Sequence, residues 1–151
     1  MQDLKYDDLE EIYKKLVDEA AKAMEKAYNP YSHFYVGAAI LSEDGQIITG
    51  ANVENAAYGS SICAERSALV RANAMGLRNF DKIAIITRGD DFDSLDVASP
   101  CGSCRQMFFE FSQAYGKDLE VIMSSTKKDK IIVTSISKLL PFGFGPRDVG
   151  V

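Results

Sequence analysis

The chain is short of the residues on which several common kinds of chemistry depend. It has one histidine, His33, and three cysteines in 151 residues. An odd number of cysteines does not close a disulfide framework, and thiols kept free for metal or catalysis fit a reducing compartment better. Positive charge is also scarce: 17 Lys and Arg stand against 22 Asp and Glu, for a net charge of −5. A protein that grips a nucleic-acid backbone carries a basic stripe. The nearest approach here is Lys127-Lys128-Asp129-Lys130, which is short, broken by an acid, and reads as a solvated turn. No apolar run approaches the roughly 18 residues of a membrane span, and no secretory or lipidation motif is visible. The expectation is a cytoplasmic protein with no membrane or polynucleotide partner.

What is present suits one domain. The hydrophobic share is 46 % and the charged share 26 %, as in ordinary globular proteins. A chain of this length buries about 68–70 % of its unfolded surface, so neither a disulfide nor a metal is needed for folding. No repeat or linker divides residues 1–151.

Residues 7–28 read as an amphipathic helix, with Leu9, Ile12, Leu16, Val17, Ala20 and Met24 at helical spacing. The pairs Glu10/Lys14 and Glu11/Lys15 are expected on its exposed side. Asn29-Pro30-Tyr31-Ser32 stops it. Residues 34–41 and 46–51 are strands around the turn Ser42-Glu43-Asp44-Gly45. A helix over 63–75 ends at Gly76, a strand follows over 82–87, and a polar loop leads to Ser99-Pro100. A third helix then runs to Tyr115, with Ser99 as N-cap and Pro100 in the first turn. Strands at 120–124 and 130–134 and a helical turn at 137–140 complete the order ββαβαββ after an opening helix. This pattern predicts an α/β fold, a three-layer α/β/α domain with a five-stranded mixed sheet.

All three cysteines fall at predicted helix starts: Cys63 on one, Cys101 and Cys104 on the other. There the unpaired N–H groups and the helix dipole favour the thiolate. Cys101 and Cys104 are three apart and share a face of one turn. A closed structural zinc site takes four protein ligands, whereas a catalytic one keeps a position open. Three cysteines without a fourth match the catalytic pattern. Glu65 follows Cys63 by two, in the same first turn, where a carboxylate can take a proton from water and pass it to a substrate nitrogen. Arg66 and Arg105 directly follow Glu65 and Cys104, and donation from either guanidinium to sulfur would offset the negative charge of three thiolates. Taken alone, each part has a plainer reading: Cys-x-x-Cys as a redox or structural motif, Glu65 as a dipole-favoured helix residue, Asn52 and Glu54 as a polar loop, Phe34 as core. The combination Cys-x-Glu followed by Pro-Cys-x-x-Cys is harder to assign to structure.

Cys63-Ala64-Glu65 and Pro100-Cys101-Gly102-Ser103-Cys104 resemble the signature of zinc deaminases. With cysteine as first ligand, the chain is similar to the small homotetrameric cytidine deaminases. The resemblance spans roughly residues 28–146 and includes Pro30-Tyr31-Ser32-His33-Phe34, Asn52-Val53-Glu54-Asn55-Ala56, and Leu139-Leu140-Pro141 with Phe144-Gly145-Pro146. It implies one Zn²⁺ per subunit on Cys63, Cys101 and Cys104, with Glu65 as proton shuttle. It also implies a nucleoside substrate held by Asn52 and Glu54 at the ribose 3′-hydroxyl, within the stretch that includes Val53 and Ala56. Phe34 would lie against the base, and Tyr58 and Phe144 would help close the pocket. Active sites completed by neighbouring subunits follow from the same resemblance.

Overall fold

A computed structural model describes residues 2–151 of the chain. Its ten main elements run β1 (Gln2–Leu4), α1 (Glu11–Met24), β2 (Tyr35–Ser42), β3 (Ile47–Ala51), α2 (Ala64–Ala74), β4 (Phe80–Arg88), α3 (Gly102–Tyr115), β5 (Glu120–Ser124), β6 (Ile131–Ser135) and α4 (Ile136–Leu139). The strands form one sheet in the order β1-β6-β5-β4-β2-β3. Only β4 and β5 run parallel, joined by the crossover through α3. The sheet thus has six strands where the sequence pattern predicts five. The addition is β1, whose Asp3 and Leu4 lie opposite Ile132 and Ile131 of β6. Three residues are too few for a visible alternation, and that strand exists only through its edge pairing.

Alternation along the other strands sets the layers. Ala38, Ile40, Ile83, Ile85, Val121 and Met123 face α2 and α3. Their neighbours Ala39, Leu41, Ala84, Ile86 and Ile122 face α1, where Leu16, Val17, Ala20 and Met24 are buried. Both faces are covered, so the expected three-layer α/β/α arrangement is the observed one. Two glycines bring the helices close. A Cβ at Gly37 would meet the Ala20 carbonyl oxygen of α1 at 1.9 Å, and one at Gly50 would meet Ala68 N and Ala64 O of α2 at 2.5 and 2.6 Å.

The opening helix is shorter than its periodicity suggests. Residues 6–8 form a separate 3-10 turn, Leu9 turns into the core, and α1 starts only after Glu10. The exposed pairing also differs: Lys14 reaches Glu11 at 3.5 Å, one residue nearer in sequence than the expected Glu10. The basic run 127–130 is neutralised, with Lys127 on Asp93, Lys128 on Asp18 and Lys130 on Asp96.

Candidate active site

Helices α2 and α3 begin beside one another with a cysteine as the residue before each first turn. Cys63 and Cys101 are the N-caps, both extended, and neither side chain caps its own helix. The expected cap, Ser99, is engaged elsewhere: its hydroxyl accepts from Arg105 Nη2 at 2.7 Å. Cys104 lies one turn into α3 and is fully buried. The three Sγ atoms converge, 3.8 Å from Cys63 to Cys101, 3.5 Å from Cys101 to Cys104, and all within 4.8 Å of one another. Tetrahedral ligands 2.3 Å from a zinc ion stand about 3.8 Å apart, and thiolates are ligands that zinc favours. The cluster is positioned to bind that metal.

The thiols share hydrogen bonds. Cys63 is held well below the ordinary thiol value, first by the proton Cys104 shares with it, then by Arg66, while burial opposes the shift. Cys104 is pushed up by the same hydrogen bond and by burial. Arg66 Nη2 donates to Cys63 Sγ at 3.6 Å. Arg105 reaches no sulfur. Its Nε donates to Pro100 O at 2.7 Å and Nη1 to Leu139 O at 2.9 Å, so it ties the loop before α3 to the end of α4. The suggested donation to sulfur therefore applies to Arg66 and not to Arg105. Glu65, in the first turn of α2, is 4 % exposed, and burial raises its carboxyl above the usual range.

A cleft of about 470 Å³ opens above these groups. Cys63, Cys101, Glu65 and Arg66 line it together with Val36, Ile85 and Thr87 and with Phe34, Asn52, Glu54 and Tyr58. It lies at the carboxyl end of β4, where open α/β sheets commonly bind ligands. Asn52 is buried and tied to strand β2: its Oδ1 accepts from Val36 N at 2.9 Å and its Nδ2 donates to Phe34 O at 2.9 Å. Glu54 Oε1 accepts from the backbone N–H groups of Tyr31 and Ser32 at 3.1 and 3.0 Å, and Oε2 accepts from the Ser32 hydroxyl. Burial raises the Glu54 carboxyl, but these donors outweigh it and the net shift is downward.

The family model for the cytidine and deoxycytidylate deaminase zinc-binding region matches residues 10–115, a span that contains Cys63, Glu65, Cys101 and Cys104. The chain belongs to that family. The cytidine deaminase of Sporosarcina psychrophila is 43 % identical over 135 residues, 89 % of this chain and 93 % of its own length. The crystal structure of cytidine deaminase from Burkholderia pseudomallei superposes with a TM-score of 0.78 at 42 % identity, covering 87 % of this chain and 98 % of that one. The blasticidin-S deaminase of Bacillus cereus is more distant, 31 % identical over 133 residues, 86 % of this chain and 90 % of its own length. The chain is a hydrolytic deaminase, and zinc is the cofactor of its family.

Not every residue named from the sequence reaches the cleft. Val53 and Ala56 flank Asn52 and Glu54 without lining it, and Phe144 lies outside it with 63 % of its surface exposed. Tyr58 does line it but is 75 % exposed, its ring edge-on to Tyr31 at 5.8 Å. Sequence reasoning missed Ser32, Ser99, Ile85 and Thr87, which also line the cleft. Ser32 had a signal, a serine whose hydroxyl can accept from a backbone N–H two residues on.

Proposed function

We propose that this chain converts cytidine and 2′-deoxycytidine to the uridine nucleosides and ammonia, with zinc held by Cys63, Cys101 and Cys104. The supporting observation is that Cys63, Cys101, the buried Glu65 and the Asn52–Glu54 pair line one cleft, with the buried Cys104 sulfur within 4.8 Å of the other two. The pair's free hydrogen-bonding positions favour a sugar. A carboxylate has about four acceptor positions, and three of Glu54's are taken. Asn52 Nδ2 has one of its two hydrogens engaged. One acceptor on Glu54 and one donor on Asn52 match a hydroxyl, which gives one hydrogen and accepts another. Phe34 stands against the base, and the aromatics Tyr58 and Phe144 close the pocket when subunits assemble.

Zinc, when bound, supplies a Lewis acid that brings the pKa of water from 15.7 to about 7. Glu65 performs the proton transfers. Its carboxylate takes a proton from the attacking water and gives it to ring N3 as the oxygen adds to C4. It then takes the proton of the new C4 hydroxyl and delivers it to the amino group, so that the C4–N bond breaks, ammonia leaves and C4 becomes a carbonyl. Arg66, hydrogen-bonded to Cys63 Sγ, offsets the formal −1 charge that three thiolates give a divalent ion.

The enzyme acts as one domain, in a homotetramer whose neighbours complete each site, and serves pyrimidine salvage in the cytoplasm. Steady-state rates on cytidine, 2′-deoxycytidine and free cytosine, with and without a chelator, test the reading. Both nucleosides should react and free cytosine far more slowly, and chelation should abolish turnover. A preference for a cytosine-bearing antibiotic over cytidine would replace the nucleoside assignment while leaving the deaminase chemistry in place.

A further inference from the structure

Ser32 stands at the centre of a network that no catalytic step requires. Its hydroxyl donates to Glu54 Oε2 and accepts from Phe34 N at 3.0 Å. Its backbone N–H donates to the other oxygen, Glu54 Oε1, at 3.0 Å. One residue therefore holds both oxygens of the carboxylate, and the Ser32 hydroxyl leaves Oε2 a single free acceptor direction. The neighbouring His33 has a left-handed backbone, φ 57°, and its Nδ1 lies 3.1 Å from Asp90 Oδ2, which fixes the loop from outside. Ser32 itself lines the cleft.

We propose that Ser32 is a positioning residue for sugar recognition: it aims the free lone pair of Glu54 at the substrate's 3′-hydroxyl. This rests on the reading that Asn52 and Glu54 hold that hydroxyl. Without the Ser32 hydroxyl, Glu54 Oε2 is free to rotate toward solvent about its remaining backbone contacts, and the carboxylate no longer meets the sugar pre-aligned. Phe34 keeps its carbonyl on Asn52 Nδ2, so the wall against the base persists. The loss falls on binding common to ground and transition states, which moves KM and spares kcat.

The test is steady-state kinetics of the zinc-loaded wild type, Ser32→Ala and Ser32→Thr on cytidine and on 3′-deoxycytidine. Loss of one aimed charge-assisted hydrogen bond corresponds to about a tenfold weaker affinity. Ser32→Ala should raise KM for cytidine by about tenfold, with kcat held within about threefold. Its kcat/KM on 3′-deoxycytidine should stay close to wild type, and Ser32→Thr, which keeps the hydroxyl, should restore KM for cytidine. An equal loss on both substrates, or undiminished discrimination by Ser32→Ala, overturns the assignment of Ser32 alone. A wild type that does not distinguish the two nucleosides removes the sugar reading, and the role of Ser32 with it.

Discussion

Replacing Glu65 by glutamine probes the chemistry with little disturbance to the fold. The side chain is 4 % exposed in the first turn of α2, beside Cys63. Glutamine keeps its volume and hydrogen-bonding shape but cannot carry a proton between water, N3 and the leaving amine. General acid–base catalysis by one positioned group is worth about 10²–10⁴-fold, equivalent to roughly 2.7–5.4 kcal/mol of barrier. In the proposed mechanism both proton transfers pass through this one carboxylate, so the loss belongs toward the upper end. Burial raises the Glu65 carboxyl, which means that the fold disfavours its charged form. Glu65→Gln should therefore melt no lower than the wild type, and lost activity cannot be blamed on unfolding. The assay is ammonia release from cytidine, with zinc content and thermal melting measured on the same preparation. Turnover within tenfold of wild type, with full zinc and an unchanged melting temperature, would falsify the role of Glu65.

Four other substitutions examine the framework. Gly50→Ala drives a methyl group against Ala68 N and Ala64 O of the helix that carries Glu65; overpacking of this kind costs about 1–3 kcal/mol, so both melting temperature and turnover should fall. The two arginines should separate: Arg66→Ala weakens zinc affinity or activity by about 10–100-fold, measured by chelator competition. Arg105→Ala, which frees the loop before α3, should appear first as a lower melting temperature. Glu25 accepts from Arg88 Nε at 2.9 Å and Nη2 at 2.7 Å, and that guanidinium lowers its carboxyl from 4.5. A lowered carboxyl stabilises the fold above its unfolded value and loses that effect as pH falls, so Glu25→Gln should melt below wild type at pH 7 and match it well below pH 4.5. At 56 % exposure the pair is screened, and the difference is about 0.2–1 kcal/mol.

Much of this site was legible because its chemistry sits in short local spacings. Cys63 and Glu65 share one turn, as do Cys101 and Cys104, and each pair starts a helix whose apolar spacing and closing glycine mark it in the sequence. The strands Glu120–Ser124 and Ile131–Ser135 fall within a residue of expectation, since β-branched runs bounded by polar turns leave little choice. What stayed hidden depends on distant partners. β1 becomes a strand only through β6, and nothing within its three residues announces that. The Ser32 hydroxyl finds Glu54 across 22 residues, and the Arg105 guanidinium finds Leu139 across 34. Ser99 is not the cap because α3 starts at Gly102, which puts Cys101 in the cap position and leaves the Ser99 hydroxyl to accept from Arg105.

On the proposed sugar reading, Asn52 has a double occupation that limits how this enzyme can change. The ladder between β2 and β3 ends at the pair Gly37–Ala51, and the Asn52 amide then adds one more rung by meeting Val36 N and Phe34 O from its side chain. In the proposed complex the same amide gives its remaining hydrogen to the sugar. A replacement chosen to suit a different sugar would also unfasten the strand end that carries Phe34, so recognition and architecture are inherited together at this position. Glu54 has no such second duty: its partners are a loop, and the sheet stands without it. New substrate preferences in this scaffold should therefore arise at residue 54 and along the outer walls, with Asn52 as the fixed post around which they vary.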